Sequence, residues 1–103
     1  MKIPHRPQVE DLVPCVITDI HRGVYFGLIE YTILQTIPDR AQIWDCRHAF
    51  QWDTKEGLHS LATHGPGHNA KIGPAVNLRV VKDVSSYIPV SPEALIVWRS
   101  AKW

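Results

Sequence analysis

The chain has 103 residues, eleven basic and ten acidic side chains, and a formal net charge of +1. This length fits one domain, 1–103, with a modest core, and the composition of 45% apolar and 20% charged residues is globular. The balanced charge excludes a nucleic-acid coat protein and an acidic DNA mimic. Neither a membrane helix nor a signal peptide is indicated, so we expect a cytoplasmic protein that binds no membrane.

Eight prolines and six glycines favour strands and turns over long helices. Residues 1–8 are polar and proline-containing, which predicts an extended N-terminal arm. Residues 12–20 predict a strand that Pro14 interrupts, and residues 24–32 predict the clearest strand, because they are rich in aromatic and β-branched side chains. Gly27 within it indicates a bulge or a close backbone approach. Residues 33–37 are predicted to continue as a strand that ends at Pro38.

Residues 41–52 predict a further strand with one heavily loaded face. Strict alternation places five side chains together on that face: Trp44, Cys46, His48, Phe50 and Trp52. Cys15 and Cys46 lack a CxxC pattern, and in a reducing compartment we interpret both as small core residues.

The second half of the chain predicts two short helices around a loop and two extended segments. Asp53 and Thr54 are suited to cap a helix that Gly65 ends, and residues 64–75 form a loop rich in glycine and proline. Residues 76–84 and 87–90 are predicted to be extended, and Ser91 with Pro92 begins a C-terminal helix. The expected fold is mainly β (α+β). It would be a small antiparallel sheet or partly open barrel, with one short helix after the third or fourth strand and a second at the C-terminus.

The six histidines do not show the spacing of a metal site, so we predict neither a metal nor a cofactor. His64 and His68 are four apart, but Pro66 and two glycines prevent a helical pair. Histidine titrates near neutral pH, so these two side chains are the candidates for an acid–base pair acting on a phosphodiester. This hydrolase is the enzymatic alternative.

The loop 64–75 and the aromatic strand together favour an anionic ligand with a base or ring to stack. Glycine amides, a lysine and two histidines suit a phosphate, although the GK[ST] of a Walker loop is missing. Aromatic side chains supply stacking faces, and arginine binds phosphate through two donors. The candidate ligand-binding residues are Arg22, Tyr25, Arg47, His48, Phe50, Trp52, His64, His68 and Lys71.

Four segments resemble the pattern of a family of short bacteriophage and prophage proteins: residues 23–28, 45–52, 57–65 and 84–94. That pattern reads GV-x-x-G, A-R-R-x-W-x-W, L-x-x-[IL]-A-x-x-G and I-P-x-[ST]-x-E-A. The resemblance spans residues 16–94, about three quarters of the chain. Arg47 and Trp52 match, whereas Cys46, His48 and Phe50 replace Ala, the second Arg and Trp. The resemblance implies a phage origin and no assigned activity.

Small neutral phage proteins often inhibit or sequester components of host systems. Our leading hypothesis is therefore a non-enzymatic binding protein that sequesters a nucleotide-derived immune signal, such as a cyclic dinucleotide or an ADP-ribose derivative, in the host bacterial cytosol. A domain this small encloses little volume, so we expect a homo-oligomer with the pocket between copies. The alternatives are the hydrolase above and a protein-binding inhibitor of a host factor. No nucleic-acid polymer is expected as a partner.

Overall fold

A computed structural model describes residues 4–52 and 58–101, apart from the side chains of residues 58 and 59. In these ranges a 3-10 turn precedes six strands and three short helices. The elements are the turn Val9–Asp11, β1 (Leu12–Asp19), β2 (Val24–Glu30), α1 (Tyr31–Thr36), β3 (Arg40–Gln51), α2 (Leu58–Thr63), β4 (Lys71–Ile72), β5 (Val76–Lys82), β6 (Val84–Pro89) and α3 (Pro92–Ser100). The predicted mainly β fold, with a helix after the third strand and a C-terminal helix, is confirmed.

The strands form one open antiparallel sheet in the order β5-β3-β2-β1-β6, with β4 also paired to β3. Strand β3 has 12 residues, and this length lets it pair with β5 along its first part and with β4 near its end. β3 is therefore the element on which the loop before β4, the neighbouring strands and the C-terminal region all converge.

A single residue, Asp83, connects the two outer strands of the sheet. Asp83 has a φ of 54°, and its carbonyl accepts a hydrogen bond of 3.0 Å from the Ile20 amide, while the Val84 amide donates to Asp39 O at 2.9 Å. β5 and β6 are thus one extended path with a bend, paired to β3 before the bend and to β1 after it. The sheet must therefore curl, so that the continuous segment β5–β6 can pair with β3 at one edge and with β1 at the other.

Apolar side chains collect in two clusters, one on each face of the sheet. The α1-side cluster contains Cys15, Ile17, Tyr25, Ile29, Ala41, Ile43, Cys46 and Val81, and Ile33 and Leu34 of α1 pack against it. The α3-side cluster contains Val16, Val24, Phe26, Ala49, Leu61, Ala62, Ile72, Ala94 and Trp98, and it includes residues of α2 and α3. β1 and β2 each contain four consecutive buried residues whose side chains enter the two clusters alternately, as expected for strands covered on two faces.

The predicted five-residue face of β3 is wrong, because Asp45 interrupts the alternation. Asp45 adopts a left-handed φ of 50°, and the register with β2 shifts at this point. Ile43 and Cys46 consequently enter the same cluster although they are three residues apart. Alternation from Ile43 then places Trp44 on the opposite face from Cys46. A bulge of this kind reverses which side chains share a face.

The predicted strand over residues 33–37 is also wrong, because this segment is the helix α1. Its apolar side chains Ile33 and Leu34 are partly buried against the α1-side cluster, and this packing overrides the β preference of the local sequence. Ile37 ends the helix in a left-handed conformation with a φ of 48°. Packing against the α1-side cluster thus decides that this segment is helical.

The predicted signals around α2 and α3 are confirmed where the structure describes them. Ser91 Oγ accepts a hydrogen bond of 3.1 Å from the Ala94 amide, and Pro92 occupies the first turn of α3. Gly65 follows α2 with a φ of 84°, a conformation that favours glycine. The predicted cap at Asp53 and Thr54 lies outside the described residues.

The interpretation of both cysteines as core residues is confirmed. Cys15 and Cys46 are free and buried, with 0% and 2% of their surface exposed. Burial raises the pKa of each thiol to about 12, which keeps both protonated at neutral pH. Neither sulfur is therefore suited to act as a nucleophile.

We predict that Gly27→Ala destabilises the protein by about 2–3 kcal/mol. An added Cβ would collide with Ile43 Cγ2 and lie 2.9 Å from the Trp44 carbonyl oxygen, so β2 and β3 would have to separate. Urea denaturation followed by circular dichroism measures the change. Gly73→Ala is the control, because its Cβ would lie 3.3 Å from Phe50 Cε2 and 3.5 Å from the His48 carbonyl oxygen, which are much looser contacts. Equal stability of the two variants would contradict this account of Gly27.

Candidate functional site

The nine candidate ligand-binding residues do not form one site within a single chain. They separate into a structural cation, an aromatic row, a small pocket beside the β1–β2 turn, and the loop before β4 with its flanking helix. The structural cation is Arg47, and the aromatic row consists of Tyr25, His48 and Phe50. The pocket beside the turn contains Arg22 and Trp52, and the loop and its flanking helix carry His64, His68 and Lys71.

Arg47 on β3 is half-buried and binds backbone carbonyls from two other parts of the chain. Its Nε donates to Gly73 O at 2.8 Å, and Nη2 donates to Ile72 O at 3.4 Å. Towards the end of α3, Nη1 donates to Trp98 O and Nη2 to Ala101 O, each at 2.6 Å. The guanidinium thus adds charged donors to carbonyls at the end of α3, where the Ala101 amide also donates to Trp98 O at 3.3 Å.

The structure gives Arg47 a different role from the predicted phosphate contact. Its planar fork is occupied by carbonyl oxygens, and burial lowers the pKa of the guanidinium from its ordinary value. In the single chain, Arg47 holds α3 and the β4 segment against β3. The Asp45 bulge makes this possible, because it places Arg47 opposite Phe26 on the α3-side face.

Three of the predicted residues form an aromatic row across β2 and β3. The Tyr25 and His48 ring centroids are 4.7 Å apart, and those of His48 and Phe50 are 4.2 Å apart. Arg79 of β5 extends the row, with its Cζ 4.9 Å from the Tyr25 ring centroid. Sequence reasoning missed Arg79, although its two-residue spacing from buried Val81 places both side chains on one face of β5.

The surroundings of the row favour neutral His48 and protonated Tyr25. Burial lowers the pKa of His48, and the positive charge of Arg79 lowers it further. Burial also raises the pKa of the Tyr25 hydroxyl, which lies 3.5 Å from Asp19 Oδ2. Phe50 is the exposed end of the row, with 55% of its surface accessible. The row therefore presents an uncharged aromatic edge beside one cation.

Arg22 and Trp52 lie together in a pocket of about 340 Å³ beside the β1–β2 turn. Asp19 Oδ1 holds this turn by accepting hydrogen bonds from the His21 and Gly23 amides, at 2.9 and 2.7 Å. Arg22 takes a left-handed φ of 66° within it. Trp52 packs against the α3-side cluster, so the predicted grouping of Trp52 with His48 and Phe50 on one face is wrong.

An open cleft lies between the loop 66–71 and α3, and we call it the loop cleft. Its volume is about 970 Å³, and His68 and Lys71 line it together with Gln51, Asn69 and Ser100. Acidic side chains are missing from its described lining. The side chains of His68 and Lys71 are exposed and form neither hydrogen bonds nor ion pairs with the described residues.

His64 lies at the end of α2, and it is not part of the described lining of the loop cleft. Its Nδ1 is 3.7 Å from Glu93 Oε1 in the first turn of α3, and both side chains are exposed. The structure therefore gives His64 a carboxylate neighbour, whereas His68 faces the open space.

Two further observations concern residues 4–52 and 58–101. No cluster of three or more His, Cys, Asp or Glu side chains there is arranged to hold a metal ion. The helices in these ranges are all too short or too polar to traverse a lipid bilayer.

Comparison with known families supplies one match, to a domain of unknown function, DUF6948, over residues 12–98. The chain belongs to the DUF6948 family. The matched region runs from the start of β1 into α3 and thus includes every strand of the sheet. Searches of curated proteins and of solved structures give no match.

We predict that Arg47→Met destabilises this DUF6948 domain by on the order of 3 kcal/mol, since it removes several charge-assisted hydrogen bonds to half-buried carbonyls. Methionine keeps most of the apolar stem, so the loss reports the guanidinium. Urea denaturation measures it, with Arg40→Met at an exposed position of β3 as the control. A loss no larger than that of the control would show that the carbonyl contacts are dispensable.

We predict that His48 makes the domain less stable in mild acid. The folded state lowers the pKa of His48 below the unfolded value near 6.5, so the unfolded chain binds the proton more readily. The stability from neutral His48 is complete above that unfolded value and is lost as the pH falls through the folded pKa. His48→Gln should therefore flatten the fall in Tm between about pH 7 and about pH 5. His5→Gln should keep the wild-type slope, and an unchanged slope in His48→Gln would refute the assignment.

Proposed function

We propose that this DUF6948 protein is a non-enzymatic binding protein that sequesters a nucleotide-derived anion in the loop cleft. The observation that carries the proposal is the pairing of His68 and Lys71, two predicted phosphate contacts, along one open cleft whose described lining holds no carboxylate. A cavity of about 970 Å³ is at the upper end of the range for small-molecule sites, about 300–1,000 Å³.

The chemistry of the loop cleft suits a phosphate or pyrophosphate group. Lys71 supplies an ammonium group with three N–H donors, and His68 supplies a ring N–H donor, so both side chains can donate hydrogen bonds to phosphate oxygens. Gln51 and Ser100 add neutral hydrogen-bonding groups to the wall. Since the side chains of His68 and Lys71 form no ion pair with the described residues, ligand binding would not have to break one.

We also propose that copies of the chain associate. The single chain already has a cleft of sufficient volume, so lack of volume does not require an oligomer. The described lining of the cleft, however, contains no Phe, Tyr or Trp, whereas the aromatic row lies on the other face of the sheet. Association would let the exposed Phe50 of one copy supply a stacking surface at the cleft of another.

The biological setting of this proposal comes from the resemblance to phage proteins. A phage protein that sequesters a nucleotide signal would act in the host bacterial cytosol and blunt an antiviral response. Cyclic dinucleotides and ADP-ribose derivatives both combine phosphate charge with a base to stack. Sequestration requires no turnover, which is consistent with the absence of a recognised catalytic motif from the sequence.

A second candidate, a phosphodiesterase, draws on the position of His64. Its Nδ1 faces Glu93 at 3.7 Å, and a carboxylate neighbour orients a histidine in many general-base sites. His68 would be the acid in the cleft. Both imidazoles are needed in this alternative, whereas sequestration depends on His68 and Lys71.

We predict that the His68→Gln/Lys71→Gln double variant binds its anion at least about tenfold more weakly than the wild type, because each lost charge-assisted hydrogen bond contributes about 1.5–3 kcal/mol. The protein is incubated with cyclic dinucleotides and with ADP-ribose, desalted, heated and analysed by mass spectrometry. Isothermal titration then measures the affinity of any retained ligand. The matched control is His5→Gln/Lys82→Gln, which removes the same two residue types at exposed positions elsewhere.

The form in which the ligand is recovered separates the candidates. Intact ligand released on heating supports sequestration, and a cleaved product that disappears in His64→Ala supports the phosphodiesterase. Recovery of neither, or equal binding by the double variant and its control, would overturn the proposal for the loop cleft. Native mass spectrometry of the same samples counts the subunits, and a strictly monomeric ligand complex would overturn the proposed association.

A further inference from the structure

A second cavity lies on the other side of α3 from the loop cleft, and we call it the arginine cavity. Its volume is about 400 Å³, and its walls come from β2, β3 and α3. Phe26, Leu28 and Leu95 form its apolar part, and Arg47, Arg99 and Asp45 form its polar part. None of the nine predicted ligand-binding residues except Arg47 lines it.

Of the charged side chains that line the arginine cavity, one cation makes no hydrogen bond or ion pair with the described residues. Asp45 is already neutralised, because its Oδ1 and Oδ2 accept hydrogen bonds from Arg6 at 2.9 and 2.6 Å. This pairing, together with the more distant Arg99, holds the pKa of Asp45 below its ordinary value. Arg47 is committed to backbone carbonyls. Arg99 is exposed, and its guanidinium forms no hydrogen bond or ion pair with the described residues, so it is the available anchor for an anion.

The apolar wall of the cavity is fixed in place. Phe26 stacks on Trp98 with a centroid distance of 4.7 Å and an interplanar angle of 8°. Trp98 is fully buried, and its Nε1 donates to Leu61 O at 2.9 Å. The hydrogen bonds from Arg47 to Trp98 O and Ala101 O hold the end of the same helix. A ligand would therefore meet a preformed apolar surface and not one that must be ordered on binding.

We propose that the arginine cavity binds a small organic carboxylate with an apolar body, such as an arylalkanoate. The planar guanidinium of Arg99 matches a carboxylate through two parallel hydrogen bonds. Phe26, Leu28 and Leu95 would cover the apolar body. A volume of about 400 Å³ accommodates one ring and a short side chain, since drug-sized ligands occupy about 300–1,000 Å³. The site is separate from the loop cleft and does not depend on the function proposed for it.

Phenylacetate is the probe, and phenylacetamide is its neutral control of nearly the same shape. Titration of ¹⁵N-labelled full chain should shift the amide signals of Leu28, Ala75, Leu95 and Arg99, with saturation in the millimolar range or below. Phenylacetamide should bind at least about tenfold more weakly, as should phenylacetate to Arg99→Gln, because each change removes the charge-assisted pair. Arg99→Lys should retain part of the affinity, and Arg40→Gln should match the wild type.

Several outcomes would overturn the proposal. These are the absence of saturable shifts, equal binding of phenylacetate and phenylacetamide, and equal affinity of Arg99→Gln and Arg40→Gln. Shifts confined to residues 66–71 would move the carboxylate to the loop cleft and also refute the arginine cavity. His68→Gln/Lys71→Gln should leave phenylacetate binding unchanged, so failure of this site and failure of the loop cleft are distinguishable. The same spectra show whether each variant is folded.

Discussion

The half-buried guanidinium of Arg47 is the interaction on which the arrangement of this domain depends. It joins β3 to the carbonyls of Ile72 and Gly73 and to those of Trp98 and Ala101. Helix α3 forms one wall of both the loop cleft and the arginine cavity, so the position of both cavities follows from this contact. A cation that must satisfy several carbonyls at once permits few positions for the helix.

The long strands and the N-terminal cap of α3 could be predicted from the sequence because their signals are local, whereas the short strand β4 lies in the segment 64–75 that was predicted to be a loop. Alternating or β-branched runs define β1, β2 and β3, and Ser91 followed by Pro92 defines the start of α3. The bulge at Asp45 could not be predicted, because a left-handed aspartate leaves no regular pattern. This one residue invalidated the face assigned to Trp44. Helix α1 was missed for a different reason, since its helical state depends on packing against distant strands.

The candidate site illustrates the same limit. Residue types suitable for an anionic nucleotide are present, and His68 and Lys71 do share a cleft. Their grouping with the aromatic side chains could not be judged without the register, because one bulge moves a side chain to the other face of the sheet. Arg47 and Arg99 show that residue type alone does not define a role. The first is consumed by carbonyls, and the second, which sequence reasoning overlooked, lies beside an apolar cavity.

The single path of β5 and β6 has a consequence for synthesis of the chain on the ribosome. β1 obtains its outer neighbour only from residues 84–89, about 70 positions later in the sequence. Until those residues emerge, the nascent sheet presents the backbone of β1 as an open edge, a template for pairing with another chain. Such distant pairing also slows folding, since a long loop must close before the contact forms. Emergence of β6 from the ribosome therefore pairs the open edge of β1 and ends the period in which the nascent chain is prone to aggregate.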